Sequence, residues 1–377
     1  MQFIDLRAQY NYLKDDIDKN IMNVVENCRF IMGEEVFKLE NDLANYVGVK
    51  NCVTCANGTE ALFMPLMAWN IKHGDAVFVP SFSFYATAEA VSLTGATPIF
   101  IDIDPCTYNI DVKKLEEAIK NVKSEGKFNP KAIIPVDLFG LPADYDEIIK
   151  ISEKYGLLVL EDAAQGFGGK NKEKKACSFG HAAATSFFPA KPLGCYGDGG
   201  AIFTNDDNLA DRLRSIRIHG QGSNKYENVR VGLNSRLDNI QAAVLLAKLK
   251  VFDNELNKRN NAAKYYTDEL NEYLVTPAIP DGFYSSWAQY SLLAKDSLER
   301  KEIMRHLKSK DIPIMIYYNI PLHMQRVYIN SMKRYCDLSV SESISSKIFS
   351  IPIHPYLKEE EILFIIKNIK KSLFEFD

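Results

Sequence analysis

The sequence predicts an α/β fold: a large domain on a mostly parallel central sheet, followed by a smaller α+β domain. Three observations predict it. Short strands that are apolar throughout alternate with helical patterns, as in a parallel sheet buried on both faces. The pattern changes character near residue 250, after a long helical stretch. Finally, 377 residues exceed the usual size of one domain, while 46% hydrophobic and 25% charged residues leave ample apolar surface for a core.

The elements follow in chain order. "NCVTC" (51–55) reads as a short buried strand; its Cys52 and Cys55 form a CxxC, but no second CxxC and no HxxxH accompanies them, so packing explains them better than zinc or redox chemistry. "AVFVP" (76–80), "ATPIFID" (96–102), "KAIIPVD" (131–137) and "LLVLED" (157–162) are the next strands. Helices are expected near 58–70, 85–94, 112–121 and 143–154, with Asp111 capping the third. A continuous helical stretch is expected over about 236–257. Beyond it, "AQYSLLAK", a helix over 297–309, "IPIMIYY" and a terminal helix near 358–372 make up the smaller domain. The expected division is 1–250, including an N-terminal arm, and 251–377.

Composition excludes several classes. A net charge of −4 argues against nucleic acid or an anionic membrane as partner. No apolar run approaches the roughly 20 residues that span a bilayer, and "MQFIDLRAQYNYLKDD" has no signal-peptide core. Seven cysteines in so long a chain are no disulfide scaffold. A cytoplasmic protein is the expectation. The glycine-rich stretches "GCYGDGG" (194–200) and "GFGGK" (166–170) lack both P-loop order and GxGxxG spacing, and read as tight turns that bring backbone close to a pocket. No dinucleotide fingerprint occurs early in the chain, which argues against a nicotinamide or flavin oxidoreductase.

The chemistry centres on Lys191 in "SFFPAKPLGCYGDGG", a lysine set in apolar and tightly turning sequence. A desolvated lysine loses its proton readily and forms Schiff bases with carbonyls. Asp162 ends an apolar strand at the carboxyl edge where open α/β sheets bind ligands, or else caps the "AAQ" turn. Together they are what a pyridoxal phosphate site needs: an acid to keep the pyridine nitrogen protonated and a lysine to hold the aldehyde as an imine. "NGTEAL" (57–62) follows a strand and opens a helix, so Gly58 and Thr59 can offer amides to a phosphate; an ordinary Asn cap with a glycine turn is the alternative. Ser186 is a further hydroxyl donor. Phe84 either stacks on the cofactor ring or packs in the core.

These residues sit in longer matches. "FIDLRAQY", "GEEVFKLENDLANYVGVK", "CANGTEAL", "GATPIFIDIDPCTYNID", "PVDLFGLPADYD", "EDAAQGFG", "TSFFPAKPLGCYGDGGAIFTND", "RIHGQ" and "VGLNSRLDNIQAA" resemble the DegT-type (DegT/DnrJ/StrS) sugar aminotransferases almost end to end. The resemblance implies a pyridoxal-phosphate-dependent transferase of fold type I, the aspartate-aminotransferase-like fold. It implies that Lys191 is the Schiff-base lysine and proton shuttle and Asp162 the pyridinium partner. Gln165 would sit beside the ring hydroxyl, although spacing alone also allows a helix-surface residue. Gly58, Thr59 and Ser186 would hold the phosphate, Phe84 would stack, and Asn234 would reach the phosphate of a second subunit, which implies a homodimer. L-glutamate would leave the amine on the cofactor as pyridoxamine phosphate, and a nucleotide-linked keto-sugar would collect it.

The sugar is read from "VRVGLNSRLDNIQAA" and "YYNIPLHMQ", which are most similar to the subgroup that aminates C3 of a UDP-2-acetamido-2-deoxy-hexuluronate for O-antigen or capsule precursors. Arg236 would then meet the uronate carboxylate, or it is a helix N-terminal arginine in a salt bridge. Tyr317 and Tyr318 would be further substrate contacts, and His323 either faces the sugar or its diphosphate or is a satisfied loop histidine. Two departures bear on this. Asp137 stands where many members have histidine in "VHLFG", and Tyr317 stands where the subgroup has histidine. Tyrosine bonds a sugar but supplies no charge, which keeps open an alternative, a neutral 6-deoxy 3- or 4-keto nucleotide sugar (dTDP-, UDP- or GDP-linked). A non-catalytic regulator on the same fold should have lost Lys191 or Asp162, and both are present.

Overall fold

Capping side chains open six of the described helices. The structure, a computed structural model, describes residues 1–224, 226–330 and 333–374. Asp5 accepts the amide of Ala8 at 2.8 Å and opens α1 (Leu6–Asn27); α2 (Glu34–Val47) ends at Gly48, which takes the left-handed conformation. Then come β1 (Asn51–Cys55), α3 (Gly58–Ala68), β2 (Asp75–Pro80), α4 (Ala86–Leu93), β3 (Thr97–Ile101), α5 (Val112–Glu125), β4 (Asn129–Ile133), α6 (Tyr145–Tyr155) and β5 (Leu158–Asp162). Asp111 caps α5 as expected, accepting the amides of Lys113 and Lys114. Cys52 and Cys55 are buried on β1.

After β5 come a small hairpin, β6 (Lys170–Asn171) and β7 (Lys174–Lys175), then β8 (Ala182–Ser186), β9 (Gly200–Thr204) and α7 (Asp207–Ile216). Seven strands form the main sheet in the order β1-β9-β8-β5-β4-β2-β3. Only β9 runs against its neighbours; every other pairing is parallel. The carboxyl ends of β1, β8, β5, β4 and β2 therefore lie along one edge, where such sheets bind ligands.

The stretch expected as one helix over 236–257 is two. α8 (Asn239–Leu249) stops at Lys250, and α9 (Phe252–Leu270) starts after Val251, whose φ of −108° and ψ of 0° interrupt the helical path. α8 packs against α1 and α2. The remaining elements are β10 (Phe283–Tyr284), β11 (Tyr290–Leu293), α10 (Ser297–Ser309), α11 (Ser339–Lys347), β12 (Ile348–Ile351) and α12 (Glu359–Phe374). "IPIMIYY" is no regular strand; its one ladder contact is the bridge from Met315 to Ser350. One apolar cluster is built only from residues of α9 onward, including Tyr266, Tyr290, Ile303, Phe349 and Ile365, while the largest cluster packs both faces of the main sheet.

Candidate functional site

Asp162 closes β5 and is 4% exposed. Its Oδ2 accepts the Thr87 hydroxyl at 2.7 Å, and its Oδ1 accepts the amide of Ala164 at 3.2 Å. Burial pushes its pKa up, opposed by Thr87, Ala164 and the nearby Lys191. A cation held against this carboxylate would reverse that bias.

Lys191 lies on the loop between β8 and β9. That loop is tied to itself: Lys191 N donates to Phe188 O at 2.8 Å, Cys195 N to Phe187 O at 2.8 Å, and Phe187 N to Gly199 O at 2.8 Å. The half-buried Lys191 amine has no hydrogen-bond partner among the described residues. Desolvation pushes its pKa down to about 8, with Asp162 pulling the other way. About a tenth of such amines are neutral one unit below that value, against about one in three thousand for an ordinary lysine at pH 7.

The β1–α3 turn leaves donors open to an anion. Asn57 caps α3 through the amide of Glu60 at 2.9 Å, and its own carbonyl takes Ala61 N. The amides of Gly58 and Thr59 have no acceptor among the described residues, at the positive end of a helix. A Cβ on Gly58 would lie 2.6 Å from Ser186 Cβ, so only glycine lets the turn close on β8. Ser186 Oγ accepts the amide of Phe188 at 3.2 Å and keeps its own proton to give. Free amides, a hydroxyl, an unpartnered amine and a buried acid fit a phosphorylated pyridine aldehyde.

Phe84 is 58% exposed, which removes the reading of a core phenylalanine; its ring lies 6.3 Å from that of Tyr318. Gln165 is buried, not on a helix surface. Its Oε1 accepts Phe139 N at 2.6 Å and its Nε2 donates to Tyr318 OH at 2.9 Å, which leaves one amide N–H to give. Burial raises the Tyr318 phenol, and Tyr317 stands beside it with Phe3 against its ring.

Three expected residues remain. Asn234 is exposed and its backbone bridges to Ile218; Ser235 Oγ accepts Ala56 N at 3.4 Å, which sets this segment beside the β1–α3 turn. Arg236 is half-buried with no ion pair among the described residues. His323 does not offer itself to a substrate: one ring nitrogen bonds the Ser81 hydroxyl, the other meets Glu342 Oε1 at 3.0 Å, and the ring is buried. It pins the segment after Tyr318 to the end of β2 instead. Thr87, the hydroxyl on Asp162, escaped sequence reasoning. Its one signal was a threonine in the first turn of α4, three residues after Phe84.

A family model described as the DegT/DnrJ/EryC1/StrS aminotransferase family matches residues 11–370. The chain is 44% identical to the UDP-2-acetamido-2-deoxy-3-oxo-D-glucuronate aminotransferase of Pseudomonas aeruginosa, over 97% of this chain and 98% of that one. It is 40% identical to a protein of Geobacillus stearothermophilus named pleiotropic regulatory protein, over 97% of this chain and 96% of that one. A crystal structure of a DegT DnrJ EryC1 StrS aminotransferase from Brucella abortus superposes with a TM-score of 0.97 at 50% identity, covering 99% of each chain.

Proposed function

The chain belongs to the DegT/DnrJ/EryC1/StrS aminotransferase family and is a pyridoxal-phosphate-dependent sugar aminotransferase, and we propose that it moves the amino group of L-glutamate to the C3 ketone of a UDP-2-acetamido-2-deoxy-3-keto-hexuluronate, making a surface-glycan precursor. The observation that carries the chemistry is the Lys191 amine, without a hydrogen-bond partner among the described residues, in the same site as the buried Asp162 carboxylate that ends β5 at the carboxyl edge of the sheet. The substrate rests on the Pseudomonas aeruginosa relative.

Pyridoxal phosphate, when bound, supplies an electron sink and carries the amine between the two substrates. The chain's own residues do the rest. Gly58, Thr59 and Ser186 would donate to the phosphate, Phe84 would pack on the ring, and Gln165 would give its remaining N–H to the ring oxygen. Asp162 holds positive charge at the ring nitrogen, its carboxylate oriented by Thr87 and Ala164. Lys191 Nζ takes the proton from the glutamate α-carbon and, in the return half, delivers one to sugar C3, a task that suits an amine titrating near working pH. Tyr317 and Tyr318 exclude water and bond the sugar.

A homodimer completes the reading. Asn234 and Arg236, exposed or unpaired in the single chain, reach a neighbour's phosphate and the uronate carboxylate. Large apolar side chains left exposed on and between α1 and α2, namely Met22, Val25, Phe30, Ile31 and Phe37, support a second copy covering them. The division near residue 250 belongs to the same reading and is supported by the separate apolar cluster from α9 onward.

The tyrosine pair supplies no cation and favours, as a second reading, a sugar neutral at C6. To decide, the loaded enzyme is given L-glutamate with either the UDP-3-keto-uronate or its C6-neutral counterpart, and products are identified by mass. Faster amination of the uronate supports the proposal. Preference for the neutral sugar overturns the uronate assignment, and amination of neither overturns the sugar class.

A further inference from the structure

Behind the site lies a second group of acids that the transamination reading does not use. Asp137 and Glu161 are both 0% exposed. Asp137 Oδ1 accepts Tyr145 OH at 2.8 Å and Ala143 N at 3.1 Å, whereas its Oδ2 is buried without a partner. The two oxygens of Glu161 accept the amides of Cys177 and Phe179, and its carboxyl meets that of Asp137. The titratable groups facing the pair are Tyr145 from α6, Asp162 from β5 and Cys177 after β7; none of them is a cation. Two ionised carboxylates in such a place would repel each other with no counter-charge among the described residues to offset them. One proton between them removes the repulsion and gives the orphaned Oδ2 its donor.

We propose that Asp137 and Glu161 hold a single proton between their carboxyl groups and act as positioning residues for Asp162, closing a clamp behind the carboxyl edge of β4 and β5. The clamp joins four places. Asp137 holds the 143–145 turn, Glu161 holds the 177–179 turn, and Asp137 N donates to Asp162 O at 3.0 Å while Asp162 N donates to Pro135 O at 2.9 Å. The fit leaves no slack, since a Cβ on Gly166, the residue after Gln165, would lie 2.4 Å from both Asp137 Cβ and Oδ2. Losing the proton sets two like charges against each other directly beneath Asp162 and Gln165. The link to catalysis rests on the role proposed for Asp162; the shared proton does not.

Burial raises both acids, Asp137 to about 7. The unfolded chain releases this proton near pH 4 while the folded pair holds it to higher pH, so folding takes up a proton above about 4 and stability declines as pH rises until the pair loses it. The test is an infrared titration of the full-length protein, with and without pyridoxal phosphate. A protonated-carboxyl C=O band is expected at neutral pH, lost on the alkaline side together with thermal stability, and absent from Asp137→Asn and Glu161→Gln. If either variant fails to fold, the wild-type titration alone decides. No such band at neutral pH, or a band unchanged in both variants, overturns the shared proton. The positioning role is read from the pH profile of the donor half-reaction: Asp137→Asn should lack an alkaline-side fall present in the wild type, and superimposable profiles overturn that role alone.

Discussion

Thr87→Val removes one hydroxyl and keeps the shape of the side chain. Among the described residues the Thr87 hydroxyl is the one donor to Asp162 Oδ2, at 2.7 Å, and both residues are almost fully buried. A hydrogen bond to a charged group contributes about 1.5–3 kcal/mol. At about 1.4 kcal/mol per unit, its loss raises the Asp162 pKa by about 1–2 units. The carboxylate then holds positive charge at the ring nitrogen less firmly. If that stabilisation is felt fully in the rate-limiting proton transfer, the donor half-reaction slows by about 10- to 100-fold. The assay is stopped-flow absorbance of the loaded enzyme mixed with L-glutamate, under single-turnover conditions so that product release does not mask the step. Thr87→Ser should restore most of the rate. A Thr87→Val enzyme within twofold of the wild type would refute the role given to this hydroxyl, and with it the placement of Asp162.

Further expectations follow from the same geometry. Gly58→Ala drives a methyl into Ser186, an overlap costing about 1–3 kcal/mol, so cofactor Kd should rise about 10- to 100-fold by absorbance titration while the far-ultraviolet circular dichroism is unchanged. Arg236→Gln should raise KM for a uronate sugar about 10- to 100-fold, the value of a charge-assisted bond, and leave a neutral sugar's KM unaltered. The pKa of the free Lys191 amine is depressed to about 8, so its neutral form is lost as pH falls below that value; the rate at which the cofactor-free protein takes up pyridoxal phosphate should fall about tenfold per unit below it, and a flat profile from pH 6 to 9 would contradict the role given to this amine.

The central chemistry was legible because it is local. Lys191 between prolines, Asp162 at the end of an apolar run and Gly58 after a strand each announce themselves within a few residues. The parallel βα units were legible for the same reason, and α10 runs over the expected 297–309 because Asp296 caps it through Leu298 and Glu299. What was not legible depends on contacts between distant residues. Thr87 and Asp162 are 75 residues apart in sequence, and Ser81 and His323 are 242 apart. Nothing in "PLHMQ" says that its histidine is already engaged on both nitrogens. The break between α8 and α9 carries no proline or glycine, and appears only as the backbone turn at Val251. The alanines of β8 (182–184) hid a central strand, since their small side chains lack the β-branched signature of the neighbouring strands.

The claim that Lys191 carries the cofactor has a built-in competitor. Lys248 is 1% exposed, donates to Gly194 O at 2.6 Å, and is also pushed down to about 8 by burial. Borohydride reduction of the pyridoxal-phosphate-loaded enzyme, followed by digestion and mass spectrometry, tells the two apart. The cofactor adduct is expected on Lys191, within residues 186–203, and should vanish in Lys191→Ala along with all turnover. An adduct on Lys248 or any other lysine, or undiminished turnover in Lys191→Ala, would contradict the account.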